Sequence, residues 1–358
     1  MRLNNFILEY IKDVLDFLSS SKNSMVKITI NGFGRIGRSF FREAFDMPEF
    51  DIVAINDLTD TKTLAYLLKY DSVYGRYKKD VEAKDGFLIV DGKKVKVMAE
   101  KDPLKLPWKE LGVDMVVEST GFFADGEKAK AHISAGAKQV VITAPAKGDV
   151  TTALIGVNDD KFVNPDPITS NASCTTNSVA PVMAILLESL GIAKASMITV
   201  HSYTATQRIV DGPDPKDLRR GRAAALNLVP STTGAAEAVI QAIPDLKGKF
   251  DAVSVRVPTP AGSLSVISAS VERQTSVDGI KEIFRKAAKE SRWEKILKVT
   301  EDPLVSTDIV GEPYGAIVDL SLTKVIDSNL VMVFSWYDNE AGYTATLVEH
   351  VRRVAENL

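Results

Sequence analysis

A glycine-rich turn between a strand and a helix constrains the fold of this chain more than any other feature. Residues 32–37 read G-F-G-R-I-G, which matches G-x-G-x-x-G; the apolar run Val26–Asn31 precedes them, and a helical pattern extends to about Phe45. A second apolar run, Phe50–Asn56, is followed by Asp57, 20 residues after the last glycine. This order of strand, turn, helix, strand and acid predicts a Rossmann-type βαβ unit in a doubly wound parallel sheet.

The residues of this turn fit a dinucleotide. Gly32 permits the tight turn, Gly34 lets a pyrophosphate approach the backbone, and Gly37 lets helix and strand pack closely. The helix N-terminus offers free N–H groups and a partial positive charge to phosphates. Asp57 would accept hydrogen bonds from ribose hydroxyls and repel a 2′-phosphate, so we expect NAD as cofactor rather than NADP. A structural glycine turn beside an ordinary strand-end aspartate is the alternative.

The second half of the chain shows a different pattern of apolar runs. Apolar runs at 113–118 and 139–143 continue the alternation of strands and helices, but after residue 174 long strand-like runs follow one another with few helices between them. These runs lie at 196–203, 252–258, 264–272, 316–321 and 330–337, after a helix at 175–190. Such a pattern predicts an α+β domain with a mostly antiparallel sheet.

We therefore predict four segments in an α/β protein. An amphipathic N-terminal extension at 1–24 carries apolar residues at helical spacing, and we assign it no function. A NAD-binding Rossmann domain covers 25–173, and a catalytic domain covers 174–338. A C-terminal helix at 339–358 is expected to return to the NAD-binding domain.

Composition narrows the possible partners and the location. The 358 residues carry a net charge of −3, which argues against a nucleic-acid partner. No apolar run is long enough for a membrane span, so we expect no membrane partner. A single cysteine cannot form an internal disulfide, which favours a reducing, cytoplasmic location. We predict no metal site.

The lone cysteine, Cys174, opens a helix among hydroxyl residues. The helix dipole is expected to lower the pKa of its thiol below about 8.5, as a nucleophile requires. A buried, inert cysteine is the alternative. Of the three histidines, His132 and His350 lie in helices among surface-type residues, whereas His201 ends an apolar strand and opens a hydroxyl-rich loop. His201 is therefore the candidate base, with a satisfied structural histidine as the alternative.

Two further features favour anion binding. Arg256 lies inside an apolar strand-like run, where its charge needs an anionic partner. Residues 231–234 read S-T-T-G and open another helix, whose N-terminus is a second anion site. We interpret Arg219 and Arg222 as solvated surface residues.

Together these segments identify a resemblance. From Met25 to its end, the chain resembles glyceraldehyde-3-phosphate dehydrogenase. The matching segments read INGFGRIGR at 30–38, AIND at 54–57, ESTG at 118–121, SNASCTTN at 170–177, RVPT at 256–259 and SWYDNE at 335–340.

The resemblance implies phosphorylating oxidation of D-glyceraldehyde 3-phosphate to 1,3-bisphosphoglycerate, a reaction of glycolysis and gluconeogenesis. Cys174 would form a thiohemiacetal and then a thioester, with His201 as base. The implied cofactor-binding residues are Gly32, Gly34, Arg35, Ile36, Gly37, Asp57, Lys101, Thr143 and Asn339. The implied holders of the substrate phosphate are Thr204, Thr206 and Arg256, and those of the attacking inorganic phosphate are Ser173, Thr175, Thr233 and Gly234. The segment 203–226 resembles a loop that approaches a neighbouring subunit, so a homotetramer is expected.

The chain departs from the family pattern at several positions. Ser178 stands where a second cysteine is common, and Lys101 stands where an arginine commonly contacts the adenine side. Ala341 replaces a usual aromatic residue near the nicotinamide. Two alternatives remain: erythrose-4-phosphate dehydrogenase, which lacks the Thr-Gly pair found here at 233–234, and a non-catalytic binding protein on the same fold.

Overall fold

The computed structural model describes residues 25–215 and 217–358. The predicted amphipathic extension, 1–24, lies outside the described residues. Within the described part, the strands form two sheets, one of nine strands and one of seven. No helix in these described ranges has the length and apolar character that crossing a membrane requires.

The first sheet is mostly parallel. Its strands are β1 Val26–Asn31, β2 Phe50–Asn56, β3 Val81–Lys84, β4 Phe87–Val90, β5 Lys93–Met98, β6 Met115–Glu118, β7 Gln139–Ile142, β8 Thr151–Thr152 and β9 Ile168–Ser170. They lie in the order β3-β4-β5-β2-β1-β6-β7-β9-β8, and only the β3–β4 and β4–β5 pairs are antiparallel. Because β1 lies between β2 and β6, the chain reverses direction across the sheet at the carboxyl end of β1. This switch point is where parallel sheets bind ligands.

Four helices belong to this part of the chain: α1 Arg35–Ala44, α2 Thr61–Lys69, α3 Trp108–Leu111 and α4 Gly126–Ser134. Helix α1 directly follows the glycine turn. Its Phe40, Phe41 and Ala44 are fully buried, which fixes the helix against the sheet. The N-terminus of α1 is therefore held at the switch point.

The second sheet is mostly antiparallel. Its strands are β10 Ile192–Ser202, β11 Val229–Ser231, β12 Phe250–Val257, β13 Ser263–Val271, β14 Leu297–Thr300, β15 Ala316–Ile326 and β16 Leu330–Tyr337. They lie in the order β11-β12-β10-β13-β16-β15-β14, with β10–β12 and β14–β15 parallel and the other pairs antiparallel. The predicted fold class, a parallel sheet joined to an α+β unit with a mostly antiparallel sheet, is confirmed.

Four helices remain among the described residues, and the first of them connects the last strand of the first sheet along the chain to the first strand of the second. They are α5 Cys174–Leu190, α6 Ala235–Ala242, α7 Val277–Ala287 and α8 Ala341–Ala355. Helix α5 begins at Cys174, one residue earlier than the sequence predicts, and is buried along most of its length. It packs against the second sheet, and α8 packs against both α1 and α5. The N-terminus of α5 is thereby fixed between the two sheets.

The prediction that His132 and His350 lie among surface residues is wrong. Both are 0% exposed. His132 contacts Trp108 and Glu118, whereas His350 contacts Thr169 and a backbone carbonyl. Each histidine lies on the inner face of its helix, and polar partners on other elements satisfy its ring nitrogens. Those partners are distant in the sequence, so the local pattern could not reveal them.

Candidate active site

The glycine turn has the backbone geometry that its motif predicts. Gly32 has a φ of +91°, and a Cβ there would lie 2.6 Å from the backbone nitrogen of Thr120. A Cβ on Gly37 would lie 2.2 Å from the carbonyl oxygen of Gly32, so helix and turn touch. A Cβ on Gly34 would meet nothing within 4 Å. Two glycines thus permit close packing, and the third faces open space.

That open space belongs to a cavity of about 490 Å³ at the carboxyl ends of β1, β2 and β6. The cavity is lined by Asn31, Gly32, Gly34, Asn56, Asp57, Leu58, Glu100, Lys101, Pro103, Ser119, Thr120, Phe122 and Phe123. It combines aromatic walls, a carboxylate and backbone approach at Gly34. These residues fit the adenosine and pyrophosphate of a dinucleotide.

The carboxylate of Asp57 also holds the glycine turn. One oxygen accepts a hydrogen bond from the backbone N–H of Phe33 at 2.7 Å, and the other accepts from Thr59 N–H at 2.9 Å. Each carboxylate oxygen has a second lone pair. Asp57 therefore retains acceptor capacity for hydroxyl groups inside the cavity that it lines.

Arg35 and Ile36 are the first two residues of α1, so their backbone N–H groups are available to a phosphate. The guanidinium of Arg35 is engaged elsewhere: it bonds Glu340 through Nε at 2.9 Å and also contacts Asp71. The side chain thus joins α1 to the N-cap residue of α8. Only the backbone of Arg35 faces an approaching phosphate.

Of the other cofactor candidates, Lys101 lines this cavity, whereas Thr143 and Asn339 do not. Lys101 is exposed at the rim of the cavity, and Thr143 follows β7. Asn339 follows β16 and is buried, with its amide oxygen accepting a hydrogen bond from Ser263 Oγ at 3.2 Å.

Cys174 and His201 lie in direct contact. Cys174 is the first residue of α5, whose N-cap Ser173 accepts a hydrogen bond from Thr176 N–H at 3.1 Å. His201 lies near the end of β10, and its Nε2 is 3.3 Å from the sulfur. A helix start and a strand end, 27 residues apart in sequence, thus bring the thiol and the imidazole together.

The expected fall in the thiol pKa is wrong for this structure. Burial raises the pKa of the Cys174 thiol, and this outweighs the positive charge of Arg256 and the hydrogen bonds of Thr175, which lower it. Burial, together with Arg256, also lowers the pKa of His201 to about 3. Both shifts favour the neutral thiol and the neutral imidazole in the cofactor-free site.

The hydrogen bonds of His201 define which nitrogen can act as base. Nδ1 lies 2.7 Å from the carbonyl oxygen of Ser202, which only accepts, and 2.9 Å from Nη1 of Arg256, which only donates. We assign the proton to Nδ1, because the carbonyl contact is the shorter one and Nη1 has the same carbonyl oxygen as its own acceptor at 3.2 Å. Nε2 is then bare and faces the thiol of Cys174. This tautomer is the one that can take the thiol proton.

Arg256 lies beside the pair, opposite His201 in the β10–β12 register. Its Nη1 is 2.9 Å from Nδ1 of His201 and donates to Ser202 O at 3.2 Å. Among the described residues, the charged or titratable groups that bear on it are Cys174, Tyr337 and Arg220, none of which is a carboxylate. A partly buried guanidinium without a carboxylate partner is suited to an anionic ligand.

The remaining substrate candidates lie in three places: the loop after β10, the start of α6 and the start of α5. The hydroxyl oxygens of Thr204 and Thr206 lie 3.0 Å apart in the loop after β10. Gly234 is the N-cap of α6. The residue before it, Thr233, accepts a hydrogen bond through Oγ1 from the backbone N–H of Ala235, the first residue of α6, at 3.1 Å. Thr175 differs: its hydroxyl is buried and bonds Tyr337 Oη at 2.9 Å, so only its backbone N–H faces the helix end.

Two residues that the sequence did not single out belong to this site. Arg220 donates to Ser231 Oγ at 3.0 Å and to Thr232 O at 3.2 Å, next to the N-terminus of α6. Tyr337 is fully buried, and its ring contacts the His201 ring edge-on at 5.9 Å between centroids. Arg220 lies between Arg219 and Arg222, which the sequence predicts to lie at the surface, and Tyr337 lies inside the SWYDNE segment at 335–340. In the described part of the chain, no group of three or more His, Cys, Asp or Glu residues could hold a metal ion.

Comparisons with known proteins agree for both halves of the chain. The family described as glyceraldehyde 3-phosphate dehydrogenase, NAD binding domain, matches residues 26–126, and the C-terminal domain of that family matches residues 173–339. The chain is 54% identical over 327 residues to glyceraldehyde-3-phosphate dehydrogenase of Thermotoga maritima, covering 91% of this chain and 98% of that relative.

Proteins of the same name from other bacteria are similar over comparable lengths. That of Clostridium pasteurianum is 48% identical over 336 residues, 93% of this chain and 99% of the relative. That of Geobacillus stearothermophilus is 49% identical over 334 residues, 92% of this chain and 98% of the relative. Since the two family matches cover both the glycine turn and the paired thiol and imidazole, the chain belongs to the glyceraldehyde-3-phosphate dehydrogenase family.

Proposed function

We propose that this chain oxidises D-glyceraldehyde 3-phosphate to 1,3-bisphosphoglycerate, using NAD and inorganic phosphate. The observation that carries the proposal is the 3.3 Å contact between Cys174 Sγ and His201 Nε2. The relatives that bear this enzyme's name match nearly the whole chain. The glycine turn with its cavity supplies the cofactor site, for which Gly32, Gly34, Arg35, Ile36, Gly37, Asp57, Lys101, Thr143 and Asn339 are the proposed residues.

The first step forms a carbon–sulfur bond. The thiol proton of Cys174 passes to bare Nε2 of His201 as the sulfur attacks the carbonyl carbon of the aldehyde. The carbonyl oxygen takes up the electron pair, and the new imidazolium donates a proton to it, giving the thiohemiacetal and a neutral imidazole. The proton balance needs no outside acid, because the same proton moves from sulfur to nitrogen to oxygen.

The second step converts the thiohemiacetal to a thioester. His201 removes the hydroxyl proton through Nε2, while Nδ1–H remains held by the carbonyl of Ser202 at 2.7 Å. Bound in the cavity at the glycine turn, NAD would supply the hydride acceptor for the same carbon. The thioester carbon stays attached to Cys174 until a phosphate oxygen attacks it and the thiolate departs. The departing sulfur takes the proton held on Nε2 of His201, which restores the neutral pair, and the proton of the attacking phosphate passes to solvent.

Two anion sites beside one sulfur account for both phosphates. We assign the phosphate of the aldehyde to Arg256, Thr204 and Thr206, because Arg256 lies beside the reacting pair without a carboxylate partner. The attacking phosphate is assigned to Thr233 and Gly234 at the N-terminus of α6 and to Ser173 and the backbone of Thr175 at that of α5. Arg220 holds the α6 loop by its bonds to Ser231 and Thr232.

The wider organisation follows the same proposal. Residues 25–173 would form the cofactor domain, 174–338 the catalytic domain, and 339–358 a helix returning to the first. We also propose a homotetramer, because the second sheet and the loop at 203–226 present apolar side chains to solvent. These exposed residues are Ile198, Val200, Val253, Ile209, Val210, Leu218 and Leu226. A nucleophilic thiol must stay reduced, which favours the cytoplasm.

The test is reduction of NAD followed by absorbance, with D-glyceraldehyde 3-phosphate in the presence and absence of inorganic phosphate. We expect turnover that depends on phosphate and exceeds that with erythrose 4-phosphate. Cys174→Ala should abolish turnover, whereas Ser178→Ala, one turn further along α5, should retain it. Phosphate-independent turnover, or a preference for erythrose 4-phosphate, would overturn the proposed reaction.

A further inference from the structure

A buried carboxylate at the end of β6 accepts hydrogen bonds from three directions. Glu118 is 2% exposed. Its Oε2 accepts from Asn31 Nδ2 at 2.6 Å and lies 3.1 Å from His132 Nε2, while Oε1 accepts from the backbone N–H of Thr120 at 2.8 Å and from its hydroxyl. The proposed chemistry uses neither Glu118 nor His132.

Trp108 determines the tautomer of His132. The indole Nε1–H lies 3.0 Å from Nδ1 of His132, and an indole can only donate. Nδ1 must therefore be bare, which places the imidazole proton on Nε2 and directs it to Glu118. Asn31 Nδ2 lies 3.4 Å from Nε2 of His132. Both nitrogens are donors, so they do not bond each other, and both donate to Oε2 of Glu118.

The polar chain continues into the walls of the cofactor cavity. Asn31 Oδ1 accepts from Asn56 Nδ2 at 2.7 Å, and Asn56 Oδ1 accepts from Glu100 N–H at 2.9 Å. Asn31, Asn56, Glu100 and Thr120 all line the cavity. Glu118 thus bonds two of the lining residues directly, Asn31 at the end of β1 and Thr120 after β6.

The glycine turn depends on one of these walls. Because a Cβ on Gly32 would lie 2.6 Å from Thr120 N, the backbone of Thr120 packs directly on the turn. Glu118 holds that same N–H, so a shift of Glu118 would move Thr120 against Gly32. His132 also contacts two residues that line the cavity: its ring meets Phe123 edge-on at 6.0 Å between centroids, and its Nε2 lies 3.4 Å from Asn31 Nδ2. A leucine at position 132 keeps an apolar contact for Phe123, so the hydrogen bond to Glu118 is the interaction that this change removes.

We propose that His132 and Trp108 are positioning residues that set the affinity for NAD through Glu118. His132 presents a fixed N–H to the carboxylate, and Trp108 prevents the imidazole from adopting the other tautomer. The inference rests on the proposal that this cavity holds the adenosine and pyrophosphate of NAD. It concerns affinity for the cofactor and leaves the reaction at Cys174 unchanged.

The decisive comparison uses two leucine variants and one rescue variant. His132→Leu removes the donor to Glu118, whereas His132→Gln places an amide N–H near the former Nε2. His350→Leu is the matched control, because His350 is also 0% exposed but bonds Thr169 Oγ1 at 2.8 Å and Ala153 O at 3.1 Å, away from the cavity. NAD affinity is measured by calorimetry, thermal unfolding by circular dichroism, and KM separately for NAD and for glyceraldehyde 3-phosphate.

We expect His132→Leu to weaken NAD binding about tenfold, the effect of losing one hydrogen bond to a charged group. The KM for NAD should rise in parallel, while kcat and the KM for the aldehyde stay near wild type. His132→Gln should recover most of the affinity. His350→Leu should lower the unfolding temperature and leave NAD affinity unchanged.

Trp108→Phe tests the tautomer of His132 separately. It also tests the proposed effect on NAD affinity if His132→Leu does not fold. It keeps an aromatic ring but removes the indole donor, so we expect nitrogen NMR of His132 to show both tautomers and NAD affinity to fall several-fold. Wild-type affinity in folded His132→Leu or Trp108→Phe overturns the inference, as does an equal loss in His350→Leu. Asp57→Asn separates the two proposals: if it and wild type bind NAD equally, the cavity assignment itself fails.

Discussion

Asp57 offers the sharpest test of how this site chooses between NAD and NADP. The change Asp57→Asn removes the charge but keeps a side-chain oxygen. That oxygen can still accept the hydrogen bond from Phe33 N–H, which is 2.7 Å long in the wild-type structure, whereas the exposed bond from Thr59 N–H is lost. The glycine turn should therefore persist, so a change in cofactor preference would report the charge rather than a disordered loop.

The magnitude follows from the electrostatics of a half-buried carboxylate. Two unit charges about 4 Å apart repel by about 1 kcal/mol in water and about 4 kcal/mol at an effective dielectric constant near 20. A 2′-phosphate carries a charge of about −1.5 to −2, so about 2 kcal/mol of repulsion is a conservative expectation. Removing it corresponds to roughly a 30-fold gain for NADP.

NAD should lose affinity in the same variant. A hydrogen bond from a ribose hydroxyl to a carboxylate is stronger than one to an amide by about 1 kcal/mol, which predicts roughly a fivefold loss. The ratio of kcat/KM values for the two cofactors should therefore change by roughly 150-fold in favour of NADP. Measurements at low and at physiological salt should show a smaller change at higher salt.

Asp60→Asn is the control for a general charge effect. Asp60 is exposed, caps α2 by accepting from Thr63 N–H at 2.9 Å, and does not line the cavity. We expect its cofactor ratio to stay within about twofold of wild type, because water and salt weaken the interactions of an exposed charge. An unchanged ratio in Asp57→Asn would refute the assignment of this carboxylate to the ribose.

Three further outcomes are expected. Cys174→Ala should abolish turnover, because Cys174 carries the covalent chemistry. Calorimetry should show NAD affinity within about twofold of wild type, because Cys174 does not line the cofactor cavity. His201→Asn should slow alkylation of the thiol near pH 7 by at least about tenfold, because the bare Nε2 at 3.3 Å is lost; an unaltered rate would remove its role as base. Burial lowers the pKa of His350 to about 3, so the unfolded chain, near 6.5, binds a proton first as the pH falls. The stability that the neutral ring contributes is present above about pH 6.5 and is lost toward pH 3, by about 2 kcal/mol between pH 7 and pH 5. Unfolding in urea should show a flatter pH dependence for His350→Gln than for wild type, and equal slopes would contradict the buried neutral state.

The sequence determined those features that depend on short stretches of chain. The glycine turn after an apolar run fixed the start of a parallel sheet, because a positive φ at Gly32 and close contact at Gly37 admit no larger residue without a backbone shift. The long strand-like runs after residue 174, with few helices between them, likewise predicted the second, mostly antiparallel sheet. The position of Cys174 at a helix start was also readable, since hydroxyl residues around it are typical of an N-cap.

Only the tertiary structure decided what surrounds each chemical group. Cys174, His201 and Arg256 come from a helix and two strands, and their distances follow from how α5 packs on the second sheet. Burial raises the pKa of the Cys174 thiol and so opposes the effect of the helix dipole. No local sequence pattern reports that burial. The roles of His132 and His350 were misjudged for the same reason. Solvation and hydrogen-bond partners are properties of residues brought together across the whole chain, whereas periodicity describes only neighbours along it.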